Sequence, residues 1–248
     1  MTEKRSDPVR PADDEARALA RRLMRAARHG ALGVVDPDTG GPHVSRVGLA
    51  TMVDGTPLIL VSSLAGHTAG LAADPRCSLL IGEPGKGDPL AHPRMTMACH
   101  ARKLDSPDAA ADEARIRYLA ANPKAALYVD FGDFSFYALA PRTASLNGGF
   151  GRAWRLTARD LLCDREASAR FAAAQAGLLE WLNGQGLHAL TQAARSARLD
   201  GHPVKAAGVD PAGIDIVLGP LAARLDFIAP ATQPDQVAAL VERAAAKP

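Results

Sequence analysis

Short apolar runs alternate with turn residues through the first 160 positions of the chain. Ahead of them, the spacing of small and apolar residues from Asp13 to Ala27 predicts an amphipathic helix that ends at Gly30. The strand-like runs cover residues 31–35, 44–53, 57–62, 76–81, 95–104, 134–139 and 143–146. Helices are predicted over residues 68–73 and 107–121, and a further helical turn starts at Pro123. Short strands with tight turns and few helices favour a barrel over a parallel sheet.

The pattern changes after about residue 160, where Ala-rich helical segments begin. The predicted elements there are helices over 166–182 and 187–197, strands over 203–209, 214–218 and 222–228, and a helix over 235–246. A segment of this size is large enough for a small domain of its own. The prediction is a flexible arm over residues 1–11, a barrel domain over 12–160 and a small α/β domain over 165–248. The fold class is therefore α+β.

Composition and charge argue against several classes of protein. Lys and Arg total 29 against 27 Asp and Glu, so neither a broad polyanion-binding surface nor a nucleic-acid partner is expected. The three cysteines, Cys77, Cys99 and Cys163, form no CxxC pair, which argues against a disulfide framework and a zinc site. No apolar run approaches the ~18 residues of a spanning helix. The charged N-terminal segment has no apolar signal region, so we expect a cytoplasmic protein without a membrane partner.

Polar side chains that suit a phosphate group cluster in residues 43–51 and 60–68. They are Ser45, Arg46, Thr51, Ser62, Ser63, His67 and Thr68. A phosphomonoester dianion needs a cation, short hydroxyl donors and the free N–H groups of a helix start, and these segments offer all three. Each residue also has an ordinary interpretation as a strand-edge, turn or helix-cap residue. The prediction therefore depends on their joint placement.

Two further arginines are candidates for binding an anionic substrate. Arg94 opens a long strand after a Pro-rich loop, and Arg152 ends a Gly-Gly-Phe-Gly run. The alternatives are a surface ion pair for Arg94 and a simple turn between domains for the glycine loop. The chain has no GxSxG, HxxxH or HExxH motif, so the sequence assigns no catalytic residue and no metal ligand.

A series of short motifs runs along the chain in a recognisable order. They are GALGV at 30–34, PHVSRV at 42–47, SSLAGHT at 62–68, DPRCSLL at 74–80, DPLAHPR at 88–94, RYLAANP at 117–123, DFGDF at 130–134 and GGFGR at 148–152. In this order they resemble the split β-barrels of the pyridoxamine 5′-phosphate oxidase-like family, in the branch of the HugZ-type haem-utilisation proteins. GVDPAGID at 208–215 and RLDF at 224–227 resemble the small α/β domain that follows the barrel in that branch.

The resemblance implies an antiparallel FMN-binding split β-barrel that forms a homodimer with flavin at the subunit interface. The residues named above in 43–51 and 60–68 would hold the FMN phosphate and ribityl chain. His67 stands where a lysine or arginine is common in oxidase-type members, which implies a weaker and pH-dependent charge. The branch often carries a Met-Asn-x-Asp-His motif where this chain has LNGQG at 182–186, so haem ligation does not carry over to that stretch.

The leading functional prediction is an FMN-dependent oxidoreductase, in which the flavin supplies the hydride chemistry and the protein supplies binding and electrostatics. Arg46 would neutralise the phosphate, while Arg94 and Arg152 would meet a small anionic substrate. Two alternatives stay open. One is a haem-binding or haem-degrading protein whose arginines contact the propionates. The other is a non-catalytic barrel that binds a partner protein.

Overall fold

Nine strands form the larger of the two sheets in the protein. The structure, a computed structural model, describes residues 9–105, 109–199, 201–219 and 221–246. The strands are β1 (Val9–Pro11), β2 (His29–Val35), β3 (Pro42–Gly48), β4 (Ala50–Thr51), β5 (Pro57–Ser62), β6 (Arg76–Ile81), β7 (Arg94–Leu104), β8 (Phe134–Asn147) and β9 (Ala153–Thr157). Their order is β1-β9-β8-β7-β6-β2-β3, with β5 on β8 and β4 on β5. The ladders are antiparallel except for the parallel pair β1–β9.

Strand β8 joins the two halves of this sheet. Along one edge it pairs with β7 over its whole length, from Asn147 opposite Arg94 to Phe136 opposite Leu104. Along its other edge, the first half pairs with β5 and the second half with β9. Within the described residues no ladder joins β3 to β5, so the sheet does not close. A mostly antiparallel, open sheet in a mixed α+β chain agrees with the split-barrel prediction.

Four helices belong to the barrel unit: α1 (Asp14–Ala26), α2 (Gly66–Ala73), α3 (Ala109–Ala121) and α4 (Ala158–Leu161). Helix α1 begins where the Asp13 carboxylate accepts the Ala16 N–H at 2.7 Å, which satisfies one of the unpaired donors of the first turn. Its apolar stripe, with Ala20 and Met24, packs into the barrel core. Helix α3 and the 3₁₀ turn Pro123–Leu127 cover the other side of β5 and β8.

The C-terminal unit contains helices α5 (Arg165–Asn183), α6 (Leu187–Ser196) and α7 (Val237–Ala245) and a second sheet. That sheet has three strands, β10 (Val204–Asp210), β11 (Gly213–Leu218) and β12 (Leu221–Asp226), in the order β10-β11-β12. Both of its ladders are antiparallel, so the unit is of the α+β kind and the predicted α/β label is wrong for it. None of the helices in the described ranges has the length and apolar character of a membrane-spanning segment.

A buried charge cluster joins the barrel to the C-terminal unit. Arg25 of α1 and Arg117 of α3 meet Asp210, Asp215 and Arg224 of the second sheet, and all five side chains are at most 9 % exposed. Arg224 Nη1 lies 2.7 Å from Asp210 and 2.6 Å from Asp215, and Arg117 Nη2 lies 2.6 Å from Asp215. Such a network forms only if the two units pack in one fixed arrangement, because unpaired buried charges are very costly.

Most predicted elements appear, but some boundaries move. Helix α1 ends at Ala26 rather than at Gly30, because Gly30 already lies in β2, opposite Val47. The predicted strand over 44–53 is two strands, β3 and β4, and the predicted strands over 134–139 and 143–146 are the single strand β8. The start of the helix predicted over 107–121 lies outside the described residues.

Among the described strands and α-helices, β1, β9 and α4 were not predicted. The expectation of a flexible arm over 1–11 is wrong for Val9–Pro11, which pair in parallel with Ala153, Trp154 and Arg155. Residues 1–8 of that arm lie outside the described part of the chain. Whether the segment 165–248 is a separate domain stays a prediction.

Candidate functional site

Ser45 and His67 form the centre of the predicted phosphate cluster. Ser45 Oγ, on β3, lies 2.9 Å from Nδ1 of His67, in the first turn of α2. His67 Nε2 is buried without a hydrogen-bond partner in the described structure. Burial, followed by the nearby His43, lowers the pKa of His67 below its usual value. The cluster therefore presents a neutral imidazole with one unsatisfied ring nitrogen, which favours binding of a polar group there.

Arg46 does not join this cluster. Successive side chains of a strand point to opposite faces, so Arg46 and Ser45 lie on different faces of β3. The exposed Arg46 instead lines a groove of about 360 Å³ on the outer face of the sheet, between β3, β2 and β6, and Ser45 also contributes to its wall. His67 does not line this groove, so within one chain the predicted cation Arg46 and the imidazole of His67 lie apart.

Of the remaining predicted phosphate ligands near α2, the hydroxyl groups of Ser62 and Thr68 are engaged within the protein. Ser62 Oγ donates to Asp133 Oδ2 at 2.5 Å, and Thr68 Oγ1 donates to the backbone oxygen of Ser62 at 2.7 Å. Ser63 is exposed, and its backbone N–H donates to the backbone oxygen of Asp133 at 2.7 Å. A carboxylate beside the hydroxyls opposes binding of a phosphate dianion.

Thr51 lies away from the other predicted phosphate ligands. It is 5 % exposed, and its Oγ1 accepts hydrogen bonds from Arg25 Nη1 at 3.0 Å and Arg117 Nη2 at 3.2 Å. Its hydroxyl therefore belongs to the buried charge cluster. The sequence interpretation placed Thr51 on one continuous strand with Ser45, but the chain breaks between β3 and β4.

The two predicted substrate-binding arginines lie at the end of the β7–β8 ladder. Arg94 Nη1 donates to the backbone oxygen of Leu90 at 3.0 Å. Arg152 pairs with Glu15 of α1 and stands over the Trp154 ring, 5.3 Å from its centroid. Both side chains thus stabilise local structure, and their role in substrate binding stays a prediction.

A larger groove, which the sequence analysis missed, lies between α1 and the start of β12. Its volume is about 590 Å³. The apolar walls come from Leu19, Leu23, Ala26, Ala27, Pro93, Leu221 and Ala222, and the polar rim from Arg22, Arg28, His29 and Glu83. We call it the α1 groove. The sequence signal for it was the wide apolar stripe of α1, which extends beyond the residues that the barrel core buries.

The cations of the α1 groove are held in different ways. Arg22 Nη2 lies 3.2 Å from Asp226 in an exposed pair, whereas Arg28 Nη1 donates to the Ala121 oxygen at 2.9 Å. Burial lowers the pKa of Arg28 below its usual value. His29 Nε2 lies 3.3 Å from Glu83 Oε1, and these two residues also line the outer-face groove of Arg46. The His29–Glu83 pair thus stands between the two grooves.

Comparison with known proteins gives the same fold. Residues 16–148, more than half of the chain, match the family model for pyridoxamine 5′-phosphate oxidase. A solved structure of a protein of unknown function from Agrobacterium tumefaciens is 28 % identical, with a TM-score of 0.81, and the match covers 96 % of this chain and 100 % of that one. A haem-binding protein from Mycobacterium smegmatis is 29 % identical, with a TM-score of 0.55, covering 96 % of this chain and 97 % of that one.

A curated relative adds a link to haem. The chloroplastic haem oxygenase HOZ of Arabidopsis thaliana is 42 % identical over 116 residues, which cover 46 % of this chain and 34 % of the plant protein. The match therefore spans about a third of the length of that relative. The extent of the family match shows that the chain belongs to the pyridoxamine 5′-phosphate oxidase-like family, and these relatives are consistent with the HugZ-type branch that its sequence resembles.

Proposed function

We propose that this protein binds haem in the α1 groove and acts in haem utilisation. The observation that carries the proposal is the groove itself, whose volume of about 590 Å³ combines apolar walls with a basic rim. It lies within the roughly 300–1,000 Å³ of small-molecule and cofactor sites. A tetrapyrrole has an apolar macrocycle for such walls and propionates for Arg22 and Arg28.

His29 supplies a ligand for iron in this arrangement. Its Nε2 lies 3.3 Å from Glu83 Oε1, so this carboxylate orients the ring and leaves Nδ1 as the nitrogen that would face the iron. His29 is partly exposed, so a bound group can reach its ring. Histidine is the commonest metal ligand among the side chains.

The relatives support haem as the ligand. The Mycobacterium smegmatis protein is named as haem-binding, and the plant relative is named as a haem oxygenase. We therefore also propose that haem is the substrate of the protein and that the reaction is haem degradation.

A haemin titration tests this proposal. Parent protein should develop a Soret band at a stoichiometry of one haem per chain. His29→Ala should shift that band and weaken binding, and a double Arg22→Ala, Arg28→Ala variant should weaken it through the lost propionate contacts. His188→Ala, which removes an exposed histidine of α6, serves as the matched control and should leave the titration unchanged. A parent protein that takes up no haem refutes the proposal.

FMN-dependent oxidoreduction is the second candidate function. The observation that favours it is the outer-face groove of about 360 Å³, in which Arg46 offers a free guanidinium within the described structure. The predicted phosphate shell does not assemble within one chain, so this candidate requires a binding mode centred on Arg46. An Arg46→Ala variant should then bind FMN roughly ten- to a hundredfold more weakly, the loss of one charge-assisted contact. Equal FMN affinity of variant and parent excludes this mode.

The third candidate function is that of a non-catalytic barrel that binds a partner protein. Its distinguishing result is a purified protein that takes up neither haem nor FMN. The absorption spectrum of the protein with each added ligand therefore separates all three functions.

A further inference from the structure

A further cleft lies between the barrel and α5. Its volume is about 290 Å³. Residues from β7, β8, α3 and the start of α5 line it together with the turn that follows β4. We call it the junction cleft. It shares no lining residue with the α1 groove or with the outer-face groove.

Alanines create the space in this cleft. Ala138 and Ala140 of β8 lie on one wall, and Ala169 and Ala172, three residues apart on α5, lie on the other. Residues at this helical spacing share a face, and a side chain that ends at Cβ leaves the width of a larger residue open. Met52 and Val53 add apolar surface. The walls therefore suit an apolar body.

Two arginines line the same cleft without partners. Arg102 of β7 and Arg165 of α5 form no ion pair and no side-chain hydrogen bond among the described residues. Both residues are exposed, whereas Arg170 of the same helix α5 is paired with Glu166 at 2.7 Å. Arg165 also stands in the first turn of α5, where the helix dipole disfavours a cation. An anion in the cleft would offset that cost and use the free donors of both guanidinium groups.

Two acidic side chains limit the charge that the cleft accepts. Glu113 Oε1 accepts the Val53 N–H at 2.7 Å, and the two oxygens of Asp54 are bonded to the N–H and hydroxyl of Thr56. Burial raises the pKa of Glu113 above its usual value, and Asp54 raises it further. These carboxyl groups offset part of the charge of the two arginines, so the cleft matches one negative charge on a ligand better than the two charges of a phosphate dianion.

We propose that the junction cleft binds a small monocarboxylic acid with an apolar body, its carboxylate between Arg102 and Arg165 and its body against the alanines. The ligand class follows from the free arginines, the small apolar walls and the acidic neighbours. This site is additional to the haem function and does not depend on it.

Isothermal titration calorimetry of the full chain without haem tests the site, with benzoate and hexanoate as probes and inorganic phosphate as the comparison. Both carboxylates should bind at one site per chain, and phosphate should bind more weakly than either. Arg102→Gln and Arg165→Gln should each weaken carboxylate binding roughly ten- to a hundredfold. Arg142→Gln, which changes an exposed arginine of β8 outside the cleft, should have no effect.

A filling variant checks the location independently. Ala169 is exposed on α5, so Ala169→Phe should fold normally and should abolish carboxylate binding by occupying the cleft. Haem uptake by this variant should match the parent, which separates this test from that of the haem proposal. The inference is overturned if neither carboxylate binds at millimolar concentration, if phosphate binds as tightly as the carboxylates, or if Arg102→Gln and Arg142→Gln behave alike.

Discussion

Asp210 is the fully buried carboxylate of the charge cluster that joins the two units. Its side chain is fully buried, and it accepts hydrogen bonds from Arg224 Nη1 at 2.7 Å, from Arg224 Nη2 at 2.8 Å and from the Ala212 N–H at 2.7 Å. Arg25 Nη2 lies 3.3 Å from the same carboxylate. Asp210→Asn keeps the size of the side chain but removes the charge that balances two buried guanidinium groups.

The expected loss follows from this burial. Removing one partner of a buried ion pair costs about 3–5 kcal/mol, because the charge that remains is uncompensated. That is a large part of the roughly 5–15 kcal/mol by which domains are stable. The arginines hold the pKa of Asp210 well below its usual value. The contribution of Asp210 is therefore full above the unfolded-state pKa of about 3.9 and is lost as the pH falls through the lower folded-state pKa.

Urea unfolding at pH 7 measures this loss. Trp154 reports on the barrel and Trp181 on α5, so fluorescence follows both units. Asp226→Asn is the matched control, because Asp226 bonds the same Arg224, through Nε at 2.8 Å, but its side chain is 44 % exposed. The control should lose at most about 1 kcal/mol. Similar losses in the two variants, or a loss below about 1 kcal/mol for Asp210→Asn, would refute the reasoning.

Three further predictions concern the barrel. An added Cβ at Gly48 would lie 2.6 Å from the Tyr118 hydroxyl, so Gly48→Ala should destabilise the fold by roughly 1–3 kcal/mol in thermal unfolding. In the control Gly33→Ala, the added Cβ has its nearest neighbours at 3.8 Å, so that variant should be nearly as stable as the parent. His67 has a lowered pKa and does not line the groove of Arg46, so FMN binding centred on Arg46 should stay constant from pH 7 to pH 9 and should be unchanged in His67→Lys. A steep decline with pH in the parent, or tighter binding by His67→Lys, contradicts this. Leu80 is 42 % exposed on the outer sheet face, where we expect a second copy of the chain to pack. Leu80→Arg should therefore convert a dimer to a monomer in light scattering, and a monomeric parent would contradict this.

Local signals located the central strands correctly. Pro57–Ser62 and Arg76–Ile81 have the predicted bounds, because each is an apolar run that begins just after a turn dipeptide. The strands β1 and β9 have no such signal. They are short, and within the described residues β1 pairs with a strand from the far end of the barrel, so nothing near it in the sequence marks it as a strand.

The candidate site was harder to predict than the fold. Sequence proximity grouped Ser45 with Arg46, although the two-residue period of a strand already places such neighbours on opposite faces. The residues of the buried charge cluster could not be grouped from the sequence, because they lie far apart along the chain. Arg25, Arg117 and Arg224 lie on three distant elements, and no local pattern distinguishes them from the other members of the 29 Lys and Arg residues. Only the packing of the two units brings them together.

The parallel pairing of β1 with β9 has a consequence for the order in which the chain can fold during synthesis. Val9 lies opposite Ala153, so β1 waits for its partner until nearly the whole barrel has been translated. Strand β8 is the shared partner of β5, β7 and β9, and the sheet cannot assemble across its centre before Asn147 has left the ribosome. At roughly 5–20 residues per second, the earlier strands stay without these partners for several seconds. Nascent chains of this protein should therefore resist proteases only after β9 has emerged.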